Sequence, residues 1–201
     1  MLVMSSAWRV PTLWTDTIET HRRQVHDAIL ATTAALADEH GVLAVTMSQI
    51  AKRTGIGRAT LYKYFSSVEE ILHAWHDRHV RSHLAQLWTI HDGDGPVADR
   101  LTAFLTAYAD IQSQRHDHAA SAHGNELAAL LHRHDHIAPA ERELHTLLRG
   151  LLAEAATIGD VRRDIPAAEL ATFCLHALDA AHDLPSKAAV QLTNAAVRPP
   201  D

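Results

Sequence analysis

Apolar residues recur along this chain at the spacing of one helix face. Ile18, Val25, Ile29 and Leu36, with Thr32 among them, predict a first helix, and Gly41 just after His40 predicts its stop. Ile71, Leu72, Trp75, Leu84, Leu87 and Trp88 predict a long helix that ends before the Gly93, Asp94, Gly95, Pro96 turn. Further helices are expected over 97–118, 124–134, 139–158, 166–183 and 186–197, with Gly159 and Pro166 as punctuation. Alternating strand patterns, glycine-rich phosphate loops and internal repeats do not occur, so the expected class is all-α.

One short stretch interrupts this regularity. Residues 46–65, T-M-S-Q-I-A-K-R-T-G-I-G-R-A-T-L-Y-K-Y-F, predict two short helices about a tight turn. Thr46 and Gln49 have the spacing of a capping box, which satisfies free backbone donors at a helix start. Ile50 and Ala51 face inward, Gly55 supplies the turn, and Ile56 and Leu61 complete a small core. Arg58, Ala59, Thr60, Tyr62, Lys63 and Tyr64 remain for the outward face, a set suited to phosphates and base edges. The stretch carries Lys52, Arg53, Arg58 and Lys63 with no acidic residue. A helical hairpin packed by Tyr62, Tyr64 and Phe65 explains the apolar positions but not these cations. Ser67 to Glu70 then repeats the capping-box spacing at the start of the fourth helix.

The run I-A-K-R-T-G-I-G-R-A-T-L-Y-K-Y-F, followed by S-S-V-E-E-I-L, resembles the amino-terminal domain of the TetR family of bacterial transcription repressors. The resemblance covers roughly residues 20–75; beyond it the chain is similar only in being helical and of suitable length. It implies that the motif enters the major groove of double-stranded operator DNA. Thr46, Tyr62 and Tyr64 would lie on the sugar-phosphate backbone, and Ser48, Arg58 and Thr60 would approach bases. One position departs from the family pattern: the fourth helix usually begins with a phosphate-binding lysine, and here Val68 stands there.

The expected organisation is an N-terminal arm at 1–17, a three-helix helix-turn-helix DNA-binding domain at 18–66, and a helical ligand-binding and dimerisation domain at 67–201. The arm holds Trp8, Arg9, Pro11 and Trp14 and does not read as a signal peptide, so a cytoplasmic location off the membrane is expected. Charge divides along the chain: residues 1–65 hold 7 Lys+Arg against 5 Asp+Glu, and 66–201 hold 11 against 19. A net +2 on one part and −8 on the other favours an approach to DNA by one end.

Two stripes mark the body: Leu144, Leu147, Leu148, Leu151, Leu152, Ala155 and Ile158, then Leu170, Phe173, Ala177, Leu178 and Ala181. The resemblance implies a homodimer through 166–183 and 186–197, which would bind an inverted repeat with half-sites about 34–36 Å apart. It also implies a small-molecule effector in a cavity of the body, with release from the operator on binding. Trp75, Trp88, Phe104 and Tyr108 are the candidate lining residues, although core packing explains each of them more cheaply.

Seventeen histidines against 3 lysines keep a metal-responsive regulator as an alternative. His116, His118, His123, His132, His134 and His136 cluster, and His73, His76 and His83 fall near one face of the fourth helix. They lie among Arg115, Asp117, Arg133 and Asp135 as on a solvated surface, so no metal or cofactor is assigned. The single cysteine, Cys174, sits in an apolar run and reads as a buried thiol. A metal-dependent hydrolase using Asp117 or Asp135 lacks any recognisable catalytic set, so the chain is not read as an enzyme. A purely architectural DNA-binding protein would lack an effector cavity.

Overall fold

The computed structural model describes residues 12–119, 137–181 and 183–200. Among them it places eight α-helices and no strand. They are α1 (Thr12–His40), α2 (Met47–Thr54), α3 (Arg58–Leu61), α4 (Val68–His91), α5 (Val97–Ala119), α6 (Ile137–Ile158), α7 (Ala167–Ala180) and α8 (Ser186–Val197). A single 3-10 turn, Val42–Ala44, follows α1. The helix expected at 124–134 lies outside the described residues, and α1 starts at Thr12, inside the stretch read as an arm. Two compact units result, Met1–Trp75 and His76–Asp201, and their division falls within α4.

In the first unit α1 packs on α2 and α2 on α3. Ile29, Leu30, Ile50, Leu61, Ile71 and Leu72 are fully buried, each worth about 1.5–3 kcal/mol of apolar transfer. Ile18 departs from the expected stripe and is 61% exposed, in a part of α1 where residues 17–24 are all exposed.

In the second unit α5 touches α6, α7 and α8, and α6 and α7 form the most extensive pair. Leu101, Phe104 and Leu105 of α5 meet Leu147, Leu148, Leu151, Leu152 and Ala155 of α6 and Leu170, Ala171, Cys174 and Leu178 of α7. Small side chains at Ala155, Ala171 and Ala189 are what allow these axes to approach. Both predicted stripes are narrower than expected. Ile158 is 64% exposed at the end of α6, and Phe173 is 47% exposed, because Ala171 and Cys174 take the inward positions of that turn. Among the described residues no helix is long and apolar enough to cross a membrane.

Candidate nucleic-acid interface

The first helix of the motif is fastened at both ends by its own sequence. The Thr46 hydroxyl accepts from the backbone N–H of Gln49 at 3.3 Å, and the Gln49 side-chain oxygen accepts from the Thr46 backbone N–H at 2.8 Å and hydroxyl at 2.7 Å. This is the predicted capping box, closed in both directions. At the other end Gly55 adopts φ 73°, a left-handed conformation that a side chain resists. The N–H groups of Gly55 and Ile56 both return to the carbonyl of Ala51.

The second helix is shorter than the sequence suggests. Only Arg58–Leu61 is α-helical; the chain then tightens, with Lys63 N–H on Thr60 O and Tyr64 N–H on Leu61 O. With Leu61 buried and Phe65 nearly so, Arg58, Ala59, Thr60, Tyr62 and Lys63 are left exposed, and Tyr64 is half-buried. Thr46 and Ser48 are exposed as well. Lys52, one turn beyond Ser48, shares that exposed face and joins the candidate set; its i, i+4 spacing from Ser48 was the available signal. Arg53 behaves differently. Both its terminal nitrogens bind the two Glu39 oxygens at 2.6 Å. Hydrogen bonding to this guanidinium holds the Glu39 carboxyl below its usual range, and the same bonds raise the Arg53 pKa.

At the start of α4 the predicted reciprocal cap is displaced by one residue. Ser67 Oγ accepts from the Glu70 backbone N–H at 3.2 Å, but the Glu70 carboxylate turns to Ser66, accepting from its backbone N–H and its hydroxyl, both at 2.7 Å. These bonds to Ser66 lower the Glu70 pKa. Val68 is half-buried at the first position of the helix and offers no charge.

The four candidate effector residues have separate surroundings. Trp75 belongs to the first unit, and the other three lie in the second. Phe104 is fully buried core. Trp88 is 40% exposed and donates its indole N–H to Glu143. Tyr108 is half-buried, and its hydroxyl accepts from Gln112 Nε2 at 2.6 Å. That amide also donates to Asp179, which Arg115 engages. Burial first, then the Asp179 charge, raises the Tyr108 pKa. A small cleft opens beside this network, lined by Ala109, Gln112, Ser113, Leu178 and Leu184 among others.

Among the described residues no group of three or more His, Cys, Asp or Glu side chains is placed to hold a metal ion. His123, His132, His134 and His136 lie outside those residues, as does the side chain of His118. His116 Nδ1 pairs with the Gln112 carbonyl at 2.8 Å, and His73 lies 3.7 Å from Glu69. Cys174 is fully buried, and desolvation pushes its thiol up to about 12.

Residues 29–75 match the profile of the bacterial regulatory proteins of the tetR family. No curated protein sequence matches the chain significantly. Among solved structures, a TetR/AcrR-family transcriptional regulator from Thermobifida fusca YX-ER1 is similar with a TM-score of 0.63 and 21% identity, over 85% of this chain and 94% of that one. FadR from Bacillus subtilis, in complex with stearoyl-CoA, is similar with a TM-score of 0.60 and 14% identity, over 85% and 98%. SmeT in complex with triclosan is similar with a TM-score of 0.62 and 18% identity, over 87% of this chain and 92% of its own. At these identities the likeness is one of fold.

Proposed function

Because this chain belongs, through residues 29–75, to the TetR family of bacterial regulatory proteins, we propose that it is a cytoplasmic, homodimeric repressor released from its operator by a small, mostly apolar ligand. The observation that carries the reading is the exposed face built by Ser48, Lys52, Arg58, Thr60, Tyr62 and Lys63 on a motif whose apolar side chains are buried. Cations and hydroxyls on so short a pair of helices serve phosphates and base edges. Thr46 and Tyr64 flank that face, and Ala59 leaves room for close approach.

The effector half of the proposal draws on the body. Two proteins of the same fold are known with triclosan and with stearoyl-CoA, the first largely apolar and the second carrying a long apolar acyl chain on a polar, charged coenzyme A. Here the helices of the second unit have apolar inner faces, and Phe104, Tyr108 and Trp88 stand on α5 and α4 as candidate contacts. Coupling of about 1–3 kcal/mol between effector and DNA would weaken operator binding about 5- to 150-fold. Dimerisation is proposed through α7 and α8, whose uncovered sides present Phe173 and Leu192.

Footprinting of the purified protein on DNA flanking its own gene, at stated salt, tests the reading. A protected inverted repeat that is lost on adding apolar compounds is the expected result. Absence of any protected sequence in a genome-wide binding selection at micromolar protein would overturn it.

A further inference from the structure

We propose that Gly150 is a positioning residue for DNA reading: by leaving room for the His91 ring it lets α6 hold the last turn of α4, the helix shared by both units. This rests on the operator-binding reading and adds to it a residue outside the motif. Gly150 stands in the middle of α6, where glycine is a poor helix former, so helix formation does not select it. A Cβ there would come within 3.0 Å of His91 Nε2. The ring has little freedom to withdraw. Its Nδ1–H donates to Asp92 Oδ1 at 2.7 Å, and the Trp88 ring lies against it, centroids 5.7 Å apart and planes at 72°. Trp88 is itself tied to α6 through Glu143. The His91 carbonyl accepts from Arg100 Nη1 at 2.6 Å, and the other terminal nitrogen of Arg100 reaches Glu154. Glu143, Gly150 and Glu154 stand at i, i+7 and i+11 on α6, along one face.

This hold matters because of what α4 spans. It is an unbroken helix of 24 residues, roughly 36 Å long at about 1.5 Å per residue. Ile71 and Leu72 near its start are buried in the first unit, the unit of the reading motif, and Leu87 near its end joins the core of the second. Among the described residues α4 and α6 share no extended packed seam, so a few side chains decide where the last turn of α4 sits. A methyl group at position 150 would push His91, and with it the turn that carries the ring. A helix passes such a shift along its axis, and a dimer reading two half-sites at a fixed spacing is sensitive to it.

Operator titrations of the natural protein, Gly150→Ala, His91→Ala and the double variant test the proposal. Gly150→Ala is expected to weaken operator binding about fivefold or more, as for coupling between separate sites. Its helicity should persist by circular dichroism, alanine being the better helix former. His91→Ala, whose carbonyl Arg100 still holds, should stay near natural affinity, and the double variant should regain it because the crowding is gone. Undiminished affinity of Gly150→Ala, or an equal loss in the double variant, would overturn the proposal. Hydrogen exchange over residues 84–92 of the full chain gives a second reading that needs no DNA. Exchange should quicken in Gly150→Ala and return in the double variant; no change rejects the hold itself. A natural protein that bound no DNA while exchange followed this pattern would overturn the role in DNA reading and leave the hold of α6 on α4 standing.

Discussion

Arg53 and Glu39 are locked in a two-pronged pair, each guanidinium nitrogen 2.6 Å from its own carboxylate oxygen, which joins the last turn of α1 to the last turn of α2. The pair removes one of four cations in residues 46–65 from the set available to DNA. Among the described residues Lys52, Arg58 and Lys63 make no such ion pair. Lys63→Ala is therefore expected to flatten the salt dependence of operator binding by about 0.9 per subunit in log–log slope, while Arg53→Gln leaves the slope unchanged. Titrations at four or five salt concentrations check both, and a flattened slope for Arg53→Gln would contradict its assignment to Glu39.

Arg58→Ala and Tyr62→Phe address the reading face itself. Each side chain is exposed and outside the buried core, so helicity and assembly should persist. Operator affinity should fall about 5- to 150-fold for Arg58→Ala, the range of one base-reading contact, and less for the loss of the tyrosine hydroxyl. Electrophoretic mobility shift with matched circular dichroism is the measurement; full affinity in both variants would move the reading face elsewhere.

The turn of the motif makes a stability prediction. Gly55→Ala meets no atom within 4 Å, so its penalty is conformational alone, about 1–2 kcal/mol for a side chain at φ 73°. Thr46→Ala opens the capping box and costs about 1 kcal/mol, whereas Thr46→Ser retains it. Thermal denaturation should show a drop of about 2–4 °C per kcal/mol for the first two and little change for the serine.

Much of this was readable in advance for physical reasons that particular residues show. Capping and turn chemistry is local, so Thr46, Gln49 and Gly55 announce their roles in a window of ten residues. The start of α5 follows from an equally local signal at Pro96. Pairing across distance left no such trace: nothing near Arg53 in sequence announces Glu39, fourteen residues earlier. Periodicity also overstated burial at Ile18, Ile158 and Phe173, since it records which side of a helix is apolar and not where the neighbouring helix ends. Glu70 chose Ser66 over Ser67 because adjacent hydroxyls offer the same chemistry, and only backbone geometry separates them.

Cys174 provides a pH test. Its thiol is raised to about 12 in the folded chain against an ordinary value of 9.0, so above pH 9 the unfolded state releases a proton that the folded state keeps. The thiol's contribution is complete below pH 9 and is lost as pH rises toward 12. Stability measured from pH 8 to 10.5 should therefore decline more steeply for the natural protein than for Cys174→Ala. A thiol-specific reagent at pH 8 should label the folded protein only at its unfolding rate.

Leu192→Glu tests the proposed pairing face. Leu192 is 64% exposed in the single chain, so the substitution should leave the fold intact while converting a dimer to a monomer in analytical ultracentrifugation. Operator affinity should fall with it. A dimer that persists would assign the interface to another surface.

That surface carries a second property in its alanines. Ala180 on α7, at i+7 from Phe173, and Ala195 and Ala196 on α8, at i+3 and i+4 from Leu192, are exposed on the same helix faces as those two side chains. An alanine has no rotamers to surrender, whereas each leucine held still on association forfeits about 0.5–1 kcal/mol of freedom. Two such faces would meet already ordered, with recognition concentrated in a few large side chains set on a rigid, nearly featureless ground.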